Sequence, residues 1–287
     1  MSSRSSSSSI PLVQKEFSRL WNLTSGRWMI VTDLHGDGGL YERYRNRFLD
    51  LYQSQQVDGL IILGDLIHRD PYAGRDSSLD MVIDLINLRA KHGDRIIYLC
   101  GNHELPHIYT FPLSKGNIEY NPSFEKALQA SGRRDEIISF LKELPFYLRT
   151  PAGISLTHAG SFRGIEPAVT MPKLFNWDHQ AILQQAEQLM AQYDSSALYY
   201  AYAHLMGNEK YPPLAMHYAA AQPTDPHYDH LIRGIIAMRG LSFEMVHFIN
   251  TYSGTKIPYD RQSAKQTSAD FQELWDALFT KCEHTYH

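Results

Sequence analysis

An α/β fold is predicted by two observations. Short apolar, β-rich runs alternate with stretches whose apolar residues recur every three or four positions, and the first three runs each stop at a cluster of glycine, asparagine, aspartate and histidine. Strands and helices in alternation form βαβ units, and near-continuous apolar strands indicate a sheet covered on both faces. The carboxyl ends of such strands are where ligands bind in open α/β sheets, so the polar clusters are expected along one edge.

The first run, "RWMIVT" at 27–32, stops at "DLHGDGG". Tyr41, Tyr44, Phe48, Leu51 and Tyr52 then place one apolar stripe on a helix of roughly four turns. "GLIIL" at 59–63 is the second strand and ends at "GDLIHRD". A helix follows from about Ser77, its expected N-cap, through Leu79, Val82, Ile83 and Ile86 to the stop signal Gly93. "RIIYLC" at 95–100 delivers "GNHE". "EIISFLKELPFYL" predicts another helix, and "GISLTHAG" repeats the strand-to-loop pattern with His158 at its end. Beyond that, "DHQAILQQAEQLMAQY" reads as a helix, "HLIRGIIAM" and "FEMVHFINTY" as sheet-like segments, and "DFQELWDALF" as a final amphipathic helix.

With 287 residues, 43% hydrophobic and 20% charged, the chain is expected to be one soluble domain from about residue 21 to 287. A composition shift toward Ala, Gln, Tyr and Pro marks an expected helical cap insert at about 164–229. Residues 1–20, opening with serines and lacking the apolar stretch of a signal peptide, read as a disordered tail. A net charge of −4 gives no broad attraction for nucleic acid, and no apolar window is long enough for a bilayer, so neither partner is expected. Cys100 and Cys282 are too isolated for a disulfide framework or a CxxC clamp, which suits a cytoplasmic protein with reduced thiols. His92, His179, His284 and His287 are assigned to solvent.

Asp33, His35, Asp65, Asn102 and His158, drawn from four strand ends, make a mixed oxygen and imidazole set. Such a set suits Mn, Fe or Zn rather than Ca or a soft thiolate-bound metal. Taken singly, each cluster reads as a polar turn as readily as a ligand, His158 as a core histidine, and Arg69 as a surface arginine. Four in succession, each ending a strand, favour one shared site.

Asp33-Leu-His35-Gly36, Gly64-Asp65-Leu-Ile-His68-Arg69, Gly101-Asn102-His103-Glu104 and Thr157-His158-Ala159-Gly160 together resemble the ordered signature of calcineurin-like metallophosphoesterases. The glutamate of GNHE and the arginine after the second motif resemble the phosphoprotein phosphatase branch, which includes serine/threonine phosphatases and symmetrical diadenosine tetraphosphate hydrolases. The resemblance implies a sandwich of two mixed β-sheets flanked by helices. It implies two divalent ions, manganese above all with iron or zinc as alternatives. Asp33, His35 and Asp65 would serve one ion, and Asp65, Asn102 and His158 the other. His103 would protonate the leaving oxygen, Arg69 would grip the phosphate, Asp65 would bridge, and Glu104 would orient its neighbours. The implied reaction is hydrolysis of a phosphomonoester, such as a phosphoprotein, or of a nucleotide polyphosphate by metal-bound hydroxide.

Two positions depart from the pattern. His68 stands where the branch places an aspartate that pairs with the GNHE histidine. Ile235, in "LIRGI", stands where a further metal histidine is expected; His217, His230 and His247 are candidate substitutes. These departures raise an alternative function, a phosphatase-like binding module with impaired turnover. A phosphodiesterase of the same superfamily is a third reading, disfavoured by Arg69 and Glu104.

Overall fold

The computed structural model describes residues 11–115, 118–159, 170–206 and 229–279. Strand β1 is Val13–Lys15, β2 Leu20–Leu23 and β3 Trp28–Val31; helix α1 spans Gly38–Gln53, β4 Gly59–Ile62, α2 Ser78–His92 and β5 Ile96–Tyr98. β3, β4 and β5 form a parallel sheet in that order, with Ile30 opposite Ile61 and Ile61 opposite Ile97. The predicted β-α-β-α-β succession is therefore present.

After β5, β6 (Ser114–Lys115) and β7 (Ile118–Glu119) form a short antiparallel pair, and a second larger sheet has the order β1-β2-β8-β9, with β8 at Tyr147–Arg149 and β9 at Ser155–Thr157. β2 pairs parallel with β8, while its outer pairings are antiparallel, so this sheet is mixed. Side chains alternate between the faces of a strand, and the cores follow that alternation. Ile61 and Ile97 pack with Val13, Trp21, Leu23 and Leu148 between the two sheets, whereas Leu60, Ile62, Ile96 and Tyr98 join the larger core under the helices. A sandwich of two sheets flanked by helices results, one sheet mixed and the other parallel.

β1 lies inside the segment expected to be a disordered tail, with Val13 buried, so ordered structure begins ahead of residue 21; residues 1–10 lie outside the described residues. Three residues are too few for a strand signal in the sequence; pairing with β2 supplies the stability. Helix α5, Arg134–Lys142, is shorter than expected because Leu144-Pro145 breaks it and "FYL" turns into β8. Ser77 occupies the N-cap position of α2 without a side-chain hydrogen bond; Asp76 Oδ1 accepts from Ser78 N instead.

The two late segments expected in a sheet are helices, α9 at His230–Arg239 and α10 at Phe243–Ser253; between β5 and α9 come α3 (Leu105–Tyr109), α4 (Asn121–Ser131), α6 (Thr170–Phe175), α7 (His179–Met190) and α8 (Ser195–Met206), and α11 is Arg261–Phe279. A β-branched run buried on all sides has no periodicity to separate strand from helix, and ten residues suit a helix better. Gly234 lets α9 press onto α3, since a Cβ there would sit 1.8 Å from the Tyr109 carbonyl oxygen. Within the expected cap, Leu174, Trp177, Ile182 and Leu183 belong to the main core. His179, assigned to solvent, is buried and bonded to the Tyr109 hydroxyl at 2.8 Å. No helix among the described residues is long and apolar enough to cross a membrane.

Candidate functional site

The loops after β3, β4, β5 and β9 meet at one rim and are sewn together by their backbones. His35 N donates to Asp65 O and Gly36 N to Leu66 O, at 2.9 and 2.8 Å. Glu104 is fully buried and accepts from Asp65 N, Leu66 N, Gly101 N and the Tyr98 hydroxyl. One carboxylate thus ties the β4 loop to the β5 loop, the orienting part expected for it. Burial, with the nearby Asp65 carboxylate, raises Glu104 to about 7.

Asp65 is the centre of the cluster and is buried. Its Oδ1 accepts from His103 N at 3.0 Å, leaving Oδ2 to face three imidazoles: His158 Nε2 at 3.3 Å, His103 Nε2 at 3.8 Å and His35 Nε2 at 3.9 Å. Asp33 Oδ1 lies 3.6 Å from His35 Nε2, and Asn102 Oδ1 lies 3.1 Å from His158 Nε2. All five expected ligands therefore come together, although they are spread over 126 positions of the chain.

Backbone strain accompanies the convergence. Asp33, His35, Asp65 and His68 all have positive φ, between 43° and 72°. Left-handed backbone at a non-glycine residue costs energy and persists where surrounding structure dictates it, commonly at functional sites. Gly64, at φ +93°, avoids that cost, and a Cβ on it would reach 2.7 Å from His158 Nδ1.

The tautomer of His158 follows from its other nitrogen. Nδ1 donates to the Leu63 carbonyl at 2.7 Å, so the lone pair of a neutral ring is at Nε2, toward Asp65 and Asn102. Metal-binding histidines are ordinarily oriented by a hydrogen bond of this type. Asp33, Asp65 and His158 form one group whose ligand atoms lie within 4.8 Å of one another, and His35, Asp65 and His103 form a second. The two groups share Asp65 but divide the residues differently from the expected sets, Asp33 falling with His158 and His35 with His103. Oxygen and imidazole donors in two adjoining groups fit a pair of borderline divalent cations.

Charge in the metal-free cluster is distributed by these contacts. The nearby His35 imidazole lowers Asp33 to about 2, and Asp33 raises His35 in return. Burial opposes ionisation of Asp65, but the His158 and His103 contacts outweigh it and hold the carboxyl low. Burial likewise opposes a charge on His158, yet Asp65 raises it to about 9. His103 is lowered to about 4, mainly by burial.

Arg69 stands beside this rim with its guanidinium engaged: Nη1 is 2.7 Å from Asp37 Oδ2, and Nε and Nη2 donate to the Ala73 carbonyl. Asp37 also caps α1 by accepting from Leu40 N. Ile235 is buried in α9, and neither His230 nor His247 joins the two ligand groups among the described residues; His217 lies outside them. The sequence reading missed His107 and Glu125, which continue the cluster inward from His68. They lie in helices without a motif, and only the packing of α3 on α4 brings them to the site.

Known proteins resemble the segment that carries these loops. The profile of a family described as calcineurin-like phosphoesterase matches residues 26–208. A protein named bis(5'-nucleosyl)-tetraphosphatase, symmetrical, from Nitrosococcus oceani is 29% identical over 123 residues, which is 42% of this chain; the match spans 40% of that relative's length. A solved structure described as a candidate diadenosine tetraphosphatase is 22% identical, with 53% of this chain and 59% of that one covered and a TM-score of 0.33.

Proposed function

This chain belongs to the calcineurin-like phosphoesterase family, and from that premise we propose that it is a metal-dependent hydrolase of phosphate esters or anhydrides with a nucleotide polyphosphate as its preferred substrate. The observation that carries the reading is the convergence of three imidazole Nε2 atoms on Asp65 Oδ2, flanked by Asp33 and Asn102. The nucleotide preference is supported by the name of the similar tetraphosphatase, and a phosphoprotein is the competing substrate.

Asp33, His35, Asp65, Asn102 and His158 would hold two divalent cations, manganese first. Such cations supply positive charge for phosphoryl oxygens and lower the pKa of an attacking water. Asp65 is common to both ligand groups, and the Leu63 carbonyl keeps the lone pair of a neutral His158 inward. His103 turns Nε2 to the same space and would give a proton to the departing oxygen; such general acid catalysis contributes typically 10²–10⁴-fold. Arg69 would grip a terminal phosphate through its planar fork of donors, with Asp37 fixing its orientation.

The test is manganese-stimulated hydrolysis of p-nitrophenyl phosphate and of diadenosine tetraphosphate by purified protein, abolished by Asp65→Asn. A second reading rests on Ile235, which brings no imidazole to the site: a binding module that holds metal and phosphate without turnover. Metal uptake with neither substrate hydrolysed would favour it. Location in the cytoplasm belongs to the same proposal.

A further inference from the structure

Arg19 is a buried cation without an acid. It is 7% exposed and forms no ion pair among the described residues. Nε donates to the Trp177 carbonyl at 2.8 Å, and Nη1 donates to the carbonyls of Lys142 and Leu144 at 2.5 and 3.0 Å, which caps the end of α5. Both hydrogens of Nη2 are left without a partner among the described residues, although buried polar groups are ordinarily hydrogen-bonded. The Phe146 ring, 5.3 Å away, attracts the guanidinium but brings no negative charge. Burial holds the pKa of Arg19 below the ordinary arginine value, since a buried charge is costly until something of opposite sign meets it.

Arg19 lines a cleft of about 590 Å³ formed by the β1–β2 connection, α2 and the end of α5; no residue of this cleft belongs to the two metal-ligand groups. The other cations of the cleft are also unmatched. Lys15 Nζ lies 4.5 Å from the centre of the Trp21 ring, and the Arg89 guanidinium lies 5.6 Å from the rings of Trp21 and Phe140; neither forms an ion pair among the described residues. Lys142 Nζ donates to Gln180 Oε1 at 3.2 Å, and burial lowers its pKa as well. By contrast Arg45, Arg69, Arg134 and Arg233 each meet a carboxylate. Two acids reach the cleft, but Glu16 is held by Arg149 and Asn22. Glu143 alone is left against the cations, and it is exposed.

We propose that this cleft is an anion site separate from the metal rim, which binds an inorganic diphosphate or longer polyphosphate through Arg19 Nη2 and Arg89, with Lys15 and Lys142 as supporting charges. Guanidinium forks match phosphate oxygens, and ammonium groups add point charge without demanding one direction. Several cations around one space call for an anion carrying more than one charge. The volume lies within the range of small-molecule sites, about 300–1,000 Å³, and exceeds what a single tetrahedral anion fills. No ring of the cleft is free to stack a nucleobase: Trp21 is buried beside Lys15 and Arg89, and Phe17 packs on Phe175 at 5.6 Å. The phosphate chain itself is therefore the ligand. The assignment does not depend on turnover at the rim.

The test is calorimetric titration of the full chain with inorganic pyrophosphate under excess chelator, which keeps cations out of the rim. One pyrophosphate per chain is expected. Lys15→Gln combined with Arg89→Gln should weaken it about tenfold or more, since each removes a charged contact to phosphate. Neither side chain donates a hydrogen bond within the protein among the described residues, so the pair leaves the α5 cap in place, and unchanged circular dichroism checks the fold. Arg69→Gln, at the rim, should leave the affinity unchanged. Orthophosphate should bind about tenfold more weakly than pyrophosphate, and ADP no more tightly. Absence of pyrophosphate binding overturns the site and leaves Arg19 a structural cap. Binding that Arg69→Gln removes and the double variant keeps also overturns it, by placing the anion at the rim. Equal affinity for orthophosphate overturns the diphosphate assignment, and tighter binding of ADP overturns the restriction to an inorganic chain.

Discussion

His158 Nε2 lies 3.3 Å from Asp65 Oδ2 while the opposite nitrogen of the same ring donates to the Leu63 carbonyl two residues before that aspartate. The second parallel strand thus orients both partners: it carries Asp65 just beyond its end and fixes the ring that meets it. Position and tautomer are set by backbone, so in the proposed site the pair would be prepared before any cation arrives. Four consequences can be measured.

Asp65→Asn keeps the shape of the side chain and removes its charge from both ligand groups at once. Because even residues that merely support a ligand are worth 10–100-fold in affinity or activity, the loss in hydrolysis is expected to be at least about 100-fold. Metal content measured by mass spectrometry should fall below two ions per chain. Unchanged metal content and rate would remove Asp65 from the centre.

The metal-free protein should lose stability as the solution becomes alkaline. His158 is raised in the folded state from 6.5 to about 9, so its contribution is complete below about 6.5 and disappears as pH rises through about 9. Glu104, raised to about 7, and His35, raised by Asp33, act with the same sign. Denaturant melts across pH 6.5–9 should reveal at most about 3 kcal/mol from His158, a slope that His158→Asn flattens. Saturating manganese should reverse the trend for this residue, because a cation displaces the proton.

Gly64→Ala should damage the site more than the fold. Its φ of +93° disfavours any Cβ, and that atom would meet His158 Nδ1 at 2.7 Å. Strain of this kind costs about 1–3 kcal/mol. Because His158 must shift, the loss of stability should be larger with manganese present than with chelator present. An equal loss under both conditions would show that His158 does not contribute to metal binding.

The Arg69–Asp37 pair allows the proposed phosphate contact to be tested apart from helix capping. Arg69→Lys removes the bidentate fork and should raise KM about tenfold, in line with about 1.5–3 kcal/mol for a charge-assisted hydrogen bond. Asp37→Asn keeps a good capping side chain on α1 but breaks the ion pair, and should change KM with little effect on Tm. Steady-state kinetics of both variants check this; an unaltered KM in Arg69→Lys would remove the arginine from the phosphate site.

The convergence of Asp33, Asp65, Asn102 and His158 was legible in the sequence because these residues are local to strand ends. Asp33, Asp65 and Asn102 each follow a short apolar run, and a run of that kind signals where a chain leaves a sheet. What lay beyond reach depended on contacts between distant segments. Glu125 sits in an ordinary amphipathic helix, and nothing in "NPSFEKALQAS" shows that it faces His107. The departure at His68 was visible, but its meaning was not: the ring that stands in place of an expected carboxylate hydrogen-bonds inward to a second ring and through it to Glu125. The late β-rich runs misled for the converse reason. Ile232, Ile235 and Ile236 are buried on a helix wedged against α3, α7 and α11, and that packing overrides their strand preference.

The most direct test of the central claim is anomalous diffraction from a crystal grown with saturating manganese. Two anomalous peaks about 3.5–4 Å apart are expected, both within bonding distance of Asp65, one beside His35 and the other beside Asn102 and His158. A map with no peak near Asp65, or with manganese held only elsewhere on the molecule, would contradict the account.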